Sequence, residues 1–164
     1  MLNSLIVTID PGASGSMCIM ELTHNDIVLD IKFIDFKPLG LIGYINELKN
    51  IDYTRFTTPR IGIELVHSMH GQGVKSVFSF GQRLGELIGM LQTLNLGYIS
   101  ISPQNWQKTL KVKPKSGKIG VFTEIIKVYP NASVLGSKGG ILDGRCDALG
   151  IAHHILYTNK KIYK

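Results

Sequence analysis

The chain has 164 residues, of which 44% are hydrophobic, so it can bury a core and lacks the composition of a disordered segment. No apolar run approaches the roughly 20 residues that a membrane-spanning helix requires. The first residues, MLNSLIVTIDPG, lack the basic region and the cleavage site of a signal peptide. The two cysteines indicate a reducing compartment without a disulfide framework, and no spacing typical of a Cys2His2 zinc site is present. We therefore expect one domain in an intracellular protein.

The formal net charge is +6, and much of it lies in two lysine clusters. The first cluster contains Lys108, Lys111, Lys113, Lys115 and Lys118, and the second ends the chain with Lys160, Lys161 and Lys164. Such clusters are typical of proteins that bind a polyanion, most often nucleic acid. A solvated loop and a frayed tail would explain the same lysines equally well, so charge alone leaves both interpretations open.

Three strands are predicted within residues 4–36. SLIVTID is rich in β-branched residues and predicts a buried strand. The turn PGASGS leads to the strand MCIMEL, and the turn THND leads to IVLDIKFIDF, which alternates in part. Two tight turns between three strands predict an antiparallel meander.

Helical patterns and strands alternate along the rest of the chain. LGLIGYINELKN has helical spacing, RIGIELV predicts a fourth strand with Glu64 at its end, and residues 74–95 carry the longest amphipathic helical pattern. GYISIS predicts a fifth strand, and SPQNWQKTL a short helix with Ser102 as its N-cap and Pro103 at its first position. After the basic loop KVKPKSG, helices are predicted at KIGVFTEIIKVY and at about residues 143–158. The order β-β-β-α-β-α-β-α-α-α predicts an α/β domain with a mixed five-stranded sheet flanked by helices.

Asp10 is the first candidate for a functional site. It ends a buried apolar strand and precedes a turn shaped by Gly12 and Gly15. A carboxylate at a strand end emerges at the edge of the sheet, where it can hold a divalent metal, and a glycine-rich turn can cradle phosphate through its amides. The alternative is that Asp10 only caps the turn.

Three further acidic residues are candidates. Glu64 ends a strand of Ile and Leu, where a carboxylate without a partner is costly, so it belongs either to a site or to a structural salt bridge. In ILDGRCDALGIAHH, Asp143 and Asp147 lie one helical turn apart and share a face. Asp143 is also a suitable cap or first-turn residue, whereas Asp147 lies among small and apolar residues.

The four carboxylates together favour a metal site. Grouped carboxylates repel each other unless cations sit among them. Oxygen ligands suit Mg²⁺ or Mn²⁺, and two such ions can activate a water and stabilise the leaving oxygen in phosphodiester cleavage.

Five segments have an order and spacing that are more specific than any one of them alone. They are IDPGASGS, IELVHSMHGQG, FGQRLGELIGML, ISPQNWQK and DGRCDALGIAHH. Together they resemble the RuvC-type Holliday junction resolvases of the RNase H-like superfamily, especially the compact members encoded by phages and related elements. The resemblance runs from about residue 4 to residue 158. It implies one RNase H-like nuclease domain over residues 1–164, and a homodimer that nicks two opposing strands of a four-way DNA junction with two Mg²⁺ or Mn²⁺ ions per active site.

The resemblance also implies which residues are catalytic. Asp10 and Glu64 match the family's acidic residues at the ends of the first and fourth strands, and Asp147 matches the aspartate of the final helix. Asp143 and Asp147 are four residues apart, whereas bacterial members commonly place these two acids three apart. Compact members often show D-G-x-x-D, so Asp143 is kept as the fourth catalytic and metal-binding residue, with a helix cap as its alternative role.

DNA-binding and dimer residues follow from charge, position and the same resemblance. The DNA-binding candidates are His67, His70, Lys75, Gln82, Arg83, Lys108, Lys111, Lys113, Lys115 and Lys118. Bacterial members carry an aromatic residue where His67 stands, so both histidines are either DNA contacts or exposed loop residues. Gly81, Gly85 and Gly89 recur every four residues on the long helix and imply close approach to the sheet or to a second subunit. The family's dimer packs through this helix, which favours the second subunit.

The remaining expectations concern partners, location and rival functions. We expect neither a membrane partner nor a nucleotide cofactor, and a location in the cytoplasm or nucleoid of a bacterial host, phage-encoded or bacterial, or in an organelle. An actin-like kinase or ATPase shares the first turn but needs two lobes and a second phosphate loop. Two further rivals are a non-catalytic junction-binding module and another RNase H-like nuclease that cuts flaps or RNA–DNA hybrids. Trp106 is expected to pack its short helix onto the domain, and Phe78 and Phe80 to lie in the core or an interface.

Overall fold

The computed structural model describes residues 1–65 and 73–159. The strands are β1 (Ser4–Ile9), β2 (Ser16–Leu22), β3 (Val28–Asp35), β4 (Arg60–Glu64) and β5 (Ile99–Ile101). The helices are α1 (Phe36–Asn50), α2 (Val74–Thr93), α3 (Pro103–Thr109), α4 (Gly117–Val128) and α5 (Asp143–Asn159), with one short 3₁₀ turn at Tyr53–Arg55. The element order predicted from the sequence is confirmed. His67, His70 and the terminal lysines lie outside the described residues.

The five strands form one mixed sheet in the order β3-β2-β1-β4-β5. β2 is antiparallel to both β1 and β3, whereas β1 pairs with β4, and β4 with β5, in parallel. This arrangement confirms the predicted meander and the mixed sheet. Because β1, β4 and β5 run in the same direction, their carboxyl ends meet at one edge of the sheet.

Helices cover both faces of this sheet. On one face, the apolar side chains of α3, α4 and α5 pack with inward residues of β1 and β2, such as Ile6 and Met20. On the other face, α1 and α2 pack against residues such as Val7 and Ile63. The alternation of side chains along β1 therefore places consecutive residues in two different cores.

Two helices differ in detail from their predicted form. α1 begins three residues earlier than predicted, and its backbone is non-helical at Lys37 and at Gly40, where φ is 60°. The regular turns follow this break, which is why the helical spacing of the sequence starts near residue 39. In α2, only Leu87, Met90 and Leu91 are buried. The first half of α2 is therefore less buried than its apolar stripe predicted.

No helix within residues 1–65 and 73–159 has the length and hydropathy needed to cross a membrane.

Candidate active site

Asp10 and Glu64 lie side by side at the edge of the sheet. Ile9 of β1 pairs in register with Ile63 of β4. The residues that follow them, Asp10 and Glu64, therefore lie at the same height along the sheet. Both carboxylates are largely buried, with 8% of Asp10 and 7% of Glu64 exposed. The sequence prediction that these two acids belong to one site is consistent with this parallel register.

The turn after Asp10 depends on its glycines. The Gly12 amide donates a hydrogen bond of 2.8 Å to Asp10 Oδ1. A Cβ at Gly15 would lie 2.1 Å from the Asp10 carbonyl oxygen, so only glycine permits this path of the chain. The turn therefore holds the Asp10 carboxylate in place and leaves no room for a side chain behind it.

The first turn of α5 docks directly on that turn. Gly144 forms an isolated parallel bridge with Gly15, and a Cβ at Gly144 would lie 2.1 Å from the Ser14 carbonyl oxygen. This backbone contact fixes the start of α5 at the site. It brings Asp143 and Asp147 to the edge that carries the two strand-end acids.

Arg145 anchors the same helical turn without neutralising the acids. Its Nε and Nη2 donate to the two carboxylate oxygens of Asp35 at 2.8 and 2.7 Å, and its Nη1 donates to the Ser133 carbonyl oxygen at 2.8 Å. The guanidinium lowers the pKa of Asp35. Since Arg145 is engaged by β3 and by the loop before α5, its charge is directed away from Asp143 and Asp147.

Burial and mutual repulsion govern the ionisation of the strand-end acids. Burial raises the pKa of Asp10 to about 6, and the Asp143 carboxylate adds to the rise, whereas the Gly12 amide and the Arg83 guanidinium oppose it. Burial, together with the Asp10 carboxylate, raises the pKa of Glu64 to about 7.

Asp147 is the most strongly shifted of the four acids. Burial raises its pKa to about 8, and the carboxylates of Asp10, Glu64 and Asp143 each contribute. Asp147 is therefore within electrostatic reach of the other three acids. Such a site is stabilised by bound cations or by protons.

The donor set of this site fits a hard divalent cation. The available ligands are carboxylate oxygens, which Mg²⁺ and Mn²⁺ prefer over nitrogen or sulfur. Within residues 1–65 and 73–159, no three His, Cys, Asp or Glu side chains converge closely enough to hold one ion as they stand. Asp143 instead forms an ion pair with Lys118 of α4. The carboxylates are near enough to repel each other but are not in ligating positions.

A contact that sequence reasoning missed holds Glu64 from behind. The indole Nε1–H of Trp106 donates a hydrogen bond of 2.8 Å to Glu64 Oε1. The sequence predicted only that Trp106 packs α3 onto the domain, and its ring does lie against Gly150 of α5. The sequence did carry one signal of this contact, because Trp106 follows shortly after β5, the strand that pairs with β4.

Two of the described DNA-binding candidates, Arg83 and Lys118, interact electrostatically with the acidic site. Lys75, Lys108, Lys111, Lys113 and Lys115 are exposed, the last three in the loop between α3 and α4. Lys118 is paired with Asp143, which brings the basic stretch to the acidic site. The Arg83 guanidinium lies 5.0 Å from the centre of the Phe36 ring, and Gln82 donates to Glu86 Oε1 at 2.9 Å. Their role in binding DNA stays a prediction.

The glycine row of α2 does not approach the sheet. Apart from the nearby backbone of α2 itself, a Cβ built at Gly81, Gly85 or Gly89 would meet no atom of the described residues within 4 Å. The interpretation that these glycines allow contact with the sheet is therefore wrong, because they lie on the opposite side of α2 from its buried residues. Val74 and Phe78 share this face and are 87% and 71% exposed, so Phe78 is not a core residue.

Of three comparisons with known proteins, the search of solved structures is the one that finds matches. A scan against protein-family models finds no match, and a search of curated proteins finds none either. Among solved structures, Thermus thermophilus RuvC in complex with a Holliday junction substrate matches with a TM-score of 0.59 over 96% of each chain, at 15% identity. Another Thermus thermophilus RuvC structure gives the same values. The yeast mitochondrial Holliday junction resolvase matches with a TM-score of 0.60, at 15% identity, over 99% of this chain and 82% of the other.

The fold is that of the RuvC-type resolvases. At this level of identity the likeness establishes the architecture, and it confirms the RNase H-like sheet that the sequence resemblance implies.

Proposed function

We propose that this chain is a metal-dependent endonuclease that resolves four-way (Holliday) DNA junctions by paired symmetrical nicks. The observation that carries the proposal is the group of four acidic residues at one edge of an RNase H-like sheet. These residues are Asp10, Glu64, Asp143 and Asp147. The likeness of the fold to that of two junction resolvases supports four-way DNA as the substrate. We further propose that residues 1–164 form one nuclease domain.

Asp10, Glu64 and Asp147 would hold two Mg²⁺ or Mn²⁺ ions, with Asp143 as the fourth ligand. When bound, the ions would polarise the attacking water and stabilise the leaving oxygen of phosphodiester hydrolysis. The chain's own contribution is to orient the carboxylates: the Gly12 amide holds Asp10, and the docked first turn of α5 carries the two aspartates. Burial excludes bulk water from Asp10 and Glu64, which strengthens their electrostatic interaction with a cation.

The exposed lysines between α3 and α4 would bind the phosphate backbone next to the site. Phosphate contacts of this kind position the DNA without reading its sequence. The homodimer would pack through the exposed face of α2 and present two sites to opposing strands. The open space around the glycines of α2 supports this role, since a partner backbone could approach there closely.

The deciding experiment measures cleavage of a panel of nucleic-acid substrates in the presence of Mg²⁺. The panel contains a synthetic four-way junction, a flap, a duplex and an RNA–DNA hybrid. We expect paired symmetrical nicks in the junction alone. Cleavage restricted to the hybrid or the flap would instead indicate another RNase H-like nuclease, and binding without cleavage would indicate a junction-binding module.

Asp10→Asn tests the catalytic role of the acidic site. We expect this variant to lose junction cleavage by several orders of magnitude and to retain junction binding, because the substitution removes a charge without removing a DNA contact. Asp30→Asn is the matched control, since Asp30 is an exposed aspartate on β3. Normal cleavage by Asp10→Asn would refute the metal-dependent mechanism.

A further inference from the structure

The single tryptophan of the sequence, Trp106, lies beneath Glu64. Only 1% of its surface is exposed, and its indole N–H reaches across 42 residues of sequence to the carboxylate at the end of β4. An indole N–H can only donate a hydrogen bond. It therefore always presents the same partner to Glu64, whatever the pH.

The backbone places this donor accurately. Glu64 pairs in register with Ile101 of β5, and the Leu65 amide donates to the Ile101 carbonyl oxygen at 2.9 Å. The next residue, Ser102, caps α3 by accepting from the Asn105 amide. Trp106 follows one helical turn later, so α3 starts from the residue beside Glu64 and turns the indole back toward it.

Helix α5 holds the indole from the other side. A Cβ at Gly150 would lie 2.7 Å from two carbons of the Trp106 ring, so glycine is needed for the ring to fit. The indole is therefore packed against the helix that carries Asp147. A fixed ring of this kind restricts rotation of the carboxylate to which it is bonded.

We propose that Trp106 is a positioning residue for Glu64, whose carboxylate it orients for cation binding by engaging Oε1. This inference rests on the proposed metal-dependent function. Hydrogen-bond partners of ligating carboxylates typically change metal affinity by about 10- to 100-fold when they are removed. The Ser102–Pro103 start of α3 and the glycine at position 150 then serve to set the position of this donor.

Trp106→Phe removes the donor and keeps an aromatic ring. In calorimetric titrations of the full chain with Mn²⁺ and no DNA, we expect affinity to fall about tenfold. Tyr129→Phe is the matched control: it also removes a donor from a buried aromatic side chain, where the hydroxyl lies 3.0 Å from His153 Nδ1, and it should leave Mn²⁺ affinity unchanged.

The same substitution in a Glu64→Gln background separates positioning from packing. If Trp106 acts through Glu64, adding Trp106→Phe to Glu64→Gln causes no further loss of Mn²⁺ affinity. An equal loss in both backgrounds, or no loss in the wild-type background, would overturn the proposal.

A measurement on the unaltered chain covers the case in which Trp106→Phe fails to fold. With ¹⁵N-labelled tryptophan, the one indole N–H gives one resonance, which should exchange slowly with solvent and shift when Mg²⁺ is added. A rapidly exchanging resonance that does not respond to Mg²⁺ would refute the proposal.

None of these measurements uses DNA. If they come out as expected while the wild-type chain cuts no junction, only the resolvase proposal fails. A wild-type chain that binds no Mn²⁺ refutes both proposals.

Discussion

Two buried carboxylates and a half-buried one, grouped in one small site, make the ionisation of the protein depend on its bound cations. Asp10, Glu64 and Asp147 have pKa values of about 6, 7 and 8, raised chiefly by burial. At these three residues the folded chain therefore binds more protons than the unfolded chain between about pH 4 and pH 8. It follows that the contribution of these three acids to the free energy of unfolding of the metal-free protein is greatest below this range and falls as the pH rises through it.

Asp147→Asn should reverse this loss in part. At pH 8 in the presence of a chelator, we expect the free energy of unfolding of the variant to exceed that of the wild type by a few kcal/mol. The reason is that each unit by which folding raises a pKa corresponds to about 1.4 kcal/mol. The two proteins should converge near pH 4. Thermal and urea unfolding at several pH values measure the difference.

Mg²⁺ and an exposed aspartate provide the controls for this prediction. Adding Mg²⁺ at pH 8 should stabilise the wild type more than Asp147→Asn, because the variant has lost a ligand. Asp30→Asn should follow the wild-type curve. If Asp147→Asn matched the wild type at pH 8, Asp147 would not lie in a repulsive acidic site.

At the scale of elements, the site is assembled where α5 meets the turn between β1 and β2. Gly144→Ala would place a Cβ 2.1 Å from the Ser14 carbonyl oxygen and 2.9 Å from the Gly15 Cα, both of them backbone atoms. The helix must then shift away from Asp10. We expect a loss of about 2 kcal/mol in free energy of unfolding and weaker Mn²⁺ binding, measured by urea unfolding and calorimetry.

Gly140→Ala is the matched control for this contact. Gly140 precedes α5, a Cβ there would meet nothing within 4 Å, and its φ is not positive. Its effect on the free energy of unfolding should stay within about 0.5 kcal/mol. A Gly144→Ala protein as stable as this control, with normal metal binding, would show that α5 does not need the contact.

Local patterns in the sequence predicted the elements because their causes are local. The apolar run before Asp10 and the Ser102–Pro103 start of α3 act within a few residues, and both appear as expected. The break at Gly40 was missed because a positive φ leaves no trace in helical spacing.

The contacts that complete the site join residues far apart in the chain. Trp106 and Glu64 are 42 residues apart, and Arg145 and Asp35 are 110 apart. No periodicity or motif spacing encodes such pairs, so the sequence predicted the acids but not what holds them. For Gly85 the sequence predicted close approach either to the sheet or to a second subunit. The packing of α2 excludes contact with the sheet.

At the scale of the whole molecule, an exposed basic loop adjoins the acidic site. Junction binding by the inactive Asp10→Asn protein should therefore weaken steeply with salt. Changing Lys111, Lys113 and Lys115 to Gln should reduce the slope of log affinity against log salt by about 3, close to 1 per phosphate contact. Gel-shift or anisotropy titrations across salt concentrations measure this slope.

Two paired lysines are the control for the basic loop. Lys32 and Lys127 form ion pairs with Glu47 and Glu124. Changing both to Gln should leave the slope nearly unchanged. Affinity that does not depend on salt would contradict the role of the basic loop.

The exposed face of α2 determines whether two active sites act together. Because a Cβ at Gly85 meets no described atom within 4 Å apart from its own stretch of helix, Gly85→Leu should leave the folded subunit intact, yet it would block close approach of a second one. We expect sedimentation to show monomers and junction nicks to lose their pairing. Ser79→Leu, an exposed change on another side of α2, should remain dimeric. A dimeric Gly85→Leu protein with paired nicks would exclude this face as the interface.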